Sequence, residues 1–112
     1  SKNCNIFVER NLGLMEIKNL NPESLEKAAG MMKAMAHPVR ILIIGCLEPG
    51  KKKSVTEIHN QIGIEQSTAS HHLGILKDKG VLGSKREGKN TYYYLKHESI
   101  VALLNCIGDC CR

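Results

Sequence analysis

What this chain lacks narrows its chemistry first. No run approaches the roughly 18 apolar residues that a membrane span requires, and the first residues do not join a basic start to an apolar stretch as a secretion leader does. Both absences predict a cytosolic (cytoplasmic) protein with no membrane partner. Acidic residues are in the minority. The 11 Asp and Glu against 16 Lys and Arg leave a net charge of +5, which favours a polyanionic partner. Aromatic residues are only 4%, and the run at 92–94 holds three of them. Cysteines number five, and an odd count excludes a fully paired disulfide scaffold within one chain. In a reducing cytosol such thiols are core residues, metal ligands or redox centres. Nothing resembles a phosphate-cradling loop or a nucleophile elbow, so no enzyme is predicted. There is no internal repeat, and 112 residues suffice for one domain with a modest core.

What is present is concentrated in residues 66–80, QSTASHHLGILKDKG. Ala69, Leu73 and Leu76 recur at four and three, the seam of a helix, while Ser67, Thr68, Ser70 and His71 mostly face elsewhere. A helix that lies in a DNA major groove needs that division: a seam to anchor it, and short polar side chains near its N-terminus to reach bases or phosphates. Before it, residues 55–65 read VTEIHNQIGIE. Thr56 is the expected cap of a short helix, Ile58 and Ile62 share one face, and Gly63 ends the helix. Helix, glycine turn, helix is the helix-turn-helix pattern. After it, β-prone runs at 81–86 and 90–95 flank a tip of Glu87, Gly88 and Lys89. Lys85, Arg86 and Lys89 make this hairpin a basic wing rather than an ordinary solvated one. His72 lies beside the seam and is read as a packing residue. Glu57 and His59 are read as solvated.

Two segments organise the rest. Residues 1–21 form an arm whose Ile6, Phe7, Val8, Leu12, Leu14, Met15, Ile17 and Leu20 are too apolar for a free tail. Residues 22–112 form the DNA-binding and dimerisation domain. Its first helix has Asn21 as cap and Pro22 and Glu23 in its first turn, and runs to about Ala36. Pro38 opens a second helix that ends near Leu47. Pro49, Gly50 and the lysines at 51–53 are predicted to form a solvated loop, with a phosphate-contacting patch as the alternative. A last helix at 98–110 carries a stripe of Ile100, Leu104 and Ile107. The expected fold is mainly α with a β-hairpin wing, a winged helix-turn-helix. The order is helix, helix, helix, helix, hairpin, helix. Apolar stripes on both end helices predict a twofold homodimer, which presents two recognition helices to major grooves about 34 Å apart.

Three stretches carry a family likeness. AMAHPVRILII at 34–44, QSTASHHLGILKDKGVL at 66–82 and REGKNTYYYL at 86–95 resemble, in order, motifs of the ArsR/SmtB family of winged-helix repressors. The resemblance implies a homodimer that binds operator DNA without a cofactor and releases it on sensing a metal, a metalloid, reactive sulfur or an oxidant. Gln66, Ser67, Thr68, Ser70 and His71 are the expected major-groove residues. Lys85, Arg86 and Lys89 are expected at phosphates or the minor groove. The family's paired-cysteine metal site is missing, because Ser54 and Thr56 hold its positions and leave Cys4 without partners there. Its terminal-helix zinc or nickel pattern is eroded, with His97, Ser99 and Cys110 in place of the usual ligands. Cys106, Cys110 and Cys111 instead suit a soft ion such as arsenite. Cys106 and Cys110 lie about 40° apart around the helix and Cys111 about 140° from Cys106, so one ion collects all three only if the last turn unwinds. The rival is thiol redox or persulfide sensing through Cys46 and Cys106. Cys46 stands one position beyond the family's usual one, and its plain alternative is a buried small hydrophobe. A winged-helix protein-interaction module without DNA binding is a further alternative.

Overall fold

The computed structural model describes residues 19–112; predictions that concern residues 1–18, including Cys4, lie outside them. The first helix, α1 (Pro22–Met35), begins as its sequence dictates. Asn21 Oδ1 accepts the Ser24 amide at 2.8 Å, and Pro22 occupies the first turn, where its missing N–H costs nothing. The second, α2 (Pro38–Cys46), is capped by His37, whose Nδ1 accepts the Val39 amide at 3.1 Å. These two helices supply Ala34, Met35, Ile43, Ile44, Cys46 and Leu47 to the core.

A two-residue strand follows, β1 (Lys53–Ser54), where the sequence predicts the end of a solvated loop. It leads directly into α3 (Val55–Ile62). The cap of α3 is Ser54, not Thr56. Ser54 Oγ accepts the Glu57 amide, and the Glu57 carboxylate accepts the Ser54 amide at 3.0 Å, a reciprocal capping box. Glu57 is thus structural rather than merely solvated. So is His59, whose Nδ1 donates to the Ile64 carbonyl at 3.1 Å across the turn. Gly63 ends α3 with φ of 83°, a left-handed conformation that a side chain disfavours.

The recognition helix α4 (Gln66–Asp78) buries Ala69, His72, Leu73 and Leu76. The hairpin strands are β2 (Leu82–Glu87) and β3 (Asn90–Leu95), one residue displaced from prediction on the first strand. All pairings are antiparallel, in the order β1-β3-β2, with Lys53 opposite Tyr93 and Glu87 opposite Asn90. At Gly83 the Tyr94 ring lies across the strand, and a Cβ there would have to displace that ring. The last helix is α5 (Ser99–Cys110), one residue shorter than predicted.

One apolar core joins these elements. Ile43, Ile44, Leu47, Ile58, Leu73, Leu76, Val81 and Leu82 are all but fully enclosed, and Ile100 of α5 joins them. Each such side chain contributes about 1.5–3 kcal/mol of burial. Along the predicted α5 stripe, Ile100 is buried and Leu104 packs against the core, but Ile107 is 50% exposed. Leu25 and Met32 on α1, and Ile41 and Leu42 on α2, also face solvent. Among the described residues no helix is long and apolar enough to cross a membrane.

Candidate nucleic-acid interface

The recognition helix is held from behind by more than its apolar seam. His72 is 8% exposed and sits between α2 and α4. Arg40 Nε donates to His72 Nδ1 at 3.0 Å, and Arg40 Nη1 donates to the Ala34 carbonyl at 3.1 Å. One guanidinium therefore fastens the end of α1, the start of α2 and the back of α4. The His37 ring packs beside His72 with centroids 4.7 Å apart. Accepting from Arg40 requires an unprotonated Nδ1. Burial pushes the His72 pKa below the ordinary histidine value, and the nearby Arg40, His37 and His71 push it the same way. The packing role expected for His72 is borne out. The part played by Arg40 was not read from the sequence, although one cation inside the apolar stretch VRILIIGC was its signal.

With the back fixed, the other face of α4 is open. Gln66, Ser67, Thr68, Ser70 and His71 are all exposed, and their spacing puts them on the N-terminal half of the helix. Glu65, at the N-cap position, makes no side-chain cap hydrogen bond, so the first amides of α4 have no side-chain acceptor. On the hairpin, Lys85, Arg86 and Lys89 are likewise exposed. Arg86 Nε leans back on the Gly88 carbonyl at 3.4 Å, while no described carboxylate pairs with Lys85 or Lys89. The wing is tied to the helix-turn-helix at one point, because β1 pairs with β3 and its second residue is also the cap of α3.

The cysteines fall into two environments. Cys46 is buried, donates its thiol proton to the Ile43 carbonyl at 3.1 Å, and is a free thiol whose pKa burial pushes up. Cys110 and Cys111 are free and exposed at the end of α5, with Cys110 Sγ donating to the Cys106 carbonyl at 3.4 Å. Cys106 is disulfide-bonded, and since Cys46 is free the two are not joined to each other. Among the described residues no group of three or more His, Cys, Asp or Glu side chains is gathered closely enough to hold a metal ion.

A buried-seam helix with a polar N-terminal half, preceded by a glycine turn and followed by a basic hairpin, defines a winged helix-turn-helix DNA-binding protein. The comparisons agree. A helix-turn-helix domain family matches residues 35–82. The HTH-type transcriptional regulator YgaV of Escherichia coli K12 is 35% identical over 81 residues, covering 72% of this chain and 82% of its own. The crystal structure of the transcriptional repressor PagR of Bacillus anthracis superposes with a TM-score of 0.69 at 33% identity, covering 78% of this chain and 99% of that one. The homodimeric winged helix-turn-helix DNA-binding domain of Mb0332 from Mycobacterium bovis, a possible ArsR-family regulator, gives 0.69 at 30% identity, over 78% and 82% of the two chains. The chain belongs to the winged helix-turn-helix transcriptional regulators, a family of DNA-binding proteins rather than enzymes.

Proposed function

We propose that this chain is a repressor of the ArsR/SmtB type, which binds operator DNA as a cytoplasmic homodimer and releases it through thiol chemistry. The observation that carries the DNA part is the shared exposure of two sets of residues. Gln66, Ser67, Thr68, Ser70 and His71 lie on one helix face, and Lys85, Arg86 and Lys89 on the wing tied to it. The helix residues read the major groove, and the wing cations meet phosphates or the minor groove. Dimerisation is supported by the exposed apolar side chains of α1 and α5, Leu25, Met32 and Ile107, and by the homodimeric state of the M. bovis relative. The test is a DNA titration at several salt concentrations. Lys89→Ala weakens every sequence similarly and lowers the salt slope by about one. Ser70→Ala or His71→Ala changes discrimination between sequences instead. An unchanged affinity for all sequences in Lys89→Ala sinks the wing assignment.

For the inducer, Cys106, Cys110 and Cys111 are the proposed ligands of a thiophilic ion such as arsenite. That reading requires the disulfide at Cys106 to be reduced first and the last turn of α5 to unwind, since Cys111 points away from Cys106 around the helix. The redox reading, with Cys106 and Cys46 as sensing thiols, draws on the disulfide that engages Cys106. Mass spectrometry of reduced protein after arsenite and after organic persulfide, each paired with a DNA titration, separates them. An arsenic adduct with loss of DNA affinity supports the first. A loss of two hydrogens with release from DNA, and no arsenic adduct, supports the second.

A further inference from the structure

The lysines at 51–53 stand just ahead of the helix-turn-helix, where a phosphate patch would be useful, yet each is already engaged within the protein. Lys51 Nζ pairs with Glu48 Oε2 at 3.0 Å, a local contact between two well-exposed side chains. Lys53 Nζ donates to Gln61 Oε1 of α3. Lys52 reaches furthest. It pairs with Glu87, 35 residues away on the last position of β2, and stands 5.2 Å from the centroid of the Tyr92 ring. Glu87 is the sole carboxylate of the hairpin, set beside Arg86 and two residues before Lys89. Left alone, a carboxylate there would repel DNA phosphates and draw the neighbouring cations back onto the protein. The hydrogen bond from Lys52 holds the Glu87 carboxyl below its usual pKa, so it stays ionised and bound to the lysine.

We infer that Lys52 is a positioning residue for the wing: it holds and neutralises Glu87 instead of contacting DNA, and so sets the approach of Lys85, Arg86 and Lys89. The hairpin is then fastened at two levels. Its β3 strand is held at mid-length by the pairing of Lys53 and Ser54 with Tyr93 and Tyr92, and its outer end by Lys52 on Glu87 and on the face of Tyr92. An exposed ion pair adds little to folding stability. Its consequence falls on binding, where a wing free to pivot must be ordered before its cations can meet the phosphate backbone. The inference rests on the proposed contact between wing and DNA, and the experiment separates the two.

Operator affinity is measured against salt for the full chain and for Lys52→Met, Lys52→Arg, Glu87→Gln, the double variant Lys52→Met/Glu87→Gln, and Lys89→Ala. Thermal unfolding by circular dichroism checks that every variant folds. Lys52→Met is expected to weaken binding about three- to tenfold, from the combined loss of an exposed pair and a cation–π contact. Its salt slope should change by much less than one. Glu87→Gln also weakens binding although it removes a negative charge, Lys52→Arg retains affinity, and the double variant is no weaker than Lys52→Met alone. A slope lowered by about one in Lys52→Met would make this lysine a direct phosphate contact and overturn the inference. So would tighter binding by Glu87→Gln, or single effects that multiply in the double variant. If Lys89→Ala leaves affinity and slope untouched, the wing does not meet DNA, and the inference falls for that separate reason.

Discussion

Acidification should loosen the recognition helix through one identifiable group. Arg40 Nε donates to His72 Nδ1 at 3.0 Å, a bond that exists only while Nδ1 is unprotonated. A proton there would set a second cation against the guanidinium in a nearly enclosed site and forfeit a charge-assisted hydrogen bond worth about 1.5–3 kcal/mol. The folded pKa is accordingly below the ordinary value of 6.5, with burial the largest cause. Below that ordinary value the unfolded chain therefore binds more protons at this residue than the folded one, and stability rises with pH. The His72 contribution is fully present above the ordinary histidine range. It is lost as pH falls, by up to about 1.4 kcal/mol per pH unit, until the folded form also titrates. Urea unfolding at fixed protomer concentration, from about pH 8 to pH 5.5, measures it. His72→Gln is the control, because its amide oxygen can accept from Arg40 and cannot titrate. The wild-type-minus-variant difference should be flat at the alkaline end and fall below the ordinary histidine pKa. Parallel curves across the whole range would refute the reasoning, whatever the other four histidines do.

Two further predictions follow from packing and capping. Leu73 is fully enclosed at the centre of the α4 seam, so Leu73→Ala should cost about 2–5 kcal/mol, read as a lower urea midpoint. Ser54 caps α3 and also lies in β1, so Ser54→Ala should cost about 0.5–2 kcal/mol, whereas Thr56→Ala, which removes no cap, should cost clearly less in the same assay.

Much of this architecture was legible because local signals and burial agree. The four-and-three spacing of Ala69, Leu73 and Leu76 placed the back of α4, and Gly63 marked a turn that needs positive φ. The short tip between two β-prone runs gave the hairpin to within a residue. What escaped depends on partners distant in sequence. Lys53 and Ser54 are poor strand formers, and β1 exists because Tyr92 and Tyr93 offer backbone to pair with. Ser54 and Thr56 are both capable caps, and the glutamate three residues after Ser54 is what discriminates between them. Arg40 meets His72 across 32 residues, and Lys52 meets Glu87 across 35, distances over which no periodicity speaks. The eight proposed DNA contacts are exposed, as residues off an apolar seam or on a hairpin tip tend to be. The cysteines were less legible, since spacing around α5 fixes angles but not the oxidation state of Cys106.

The two fastenings of the DNA-binding surface suggest where control would have to act. On one side Arg40 binds α4 to α1 and α2, and on the other β1 and Lys52 bind the wing to the start of α3. Helix-turn-helix and wing are therefore tied together, and in the proposed sensor chemistry at the end of α5 gains little by distorting either alone. Its physical route is through Ile100 and Leu104, which pack on the same core as Ile43 and Leu73, and through the exposed face around Ile107. In the proposed homodimer a change there would reorient the whole body against its mate, altering the spacing of two recognition helices without repacking either. An inducer can shift that arrangement only by binding the low-affinity form more tightly, and moving the balance from 1:99 to 99:1 takes about 5.5 kcal/mol of preference. A buried, carbonyl-bonded thiol such as Cys46 is poorly placed to supply it without prior opening, whereas the exposed Cys110 and Cys111 can be reached in the folded state.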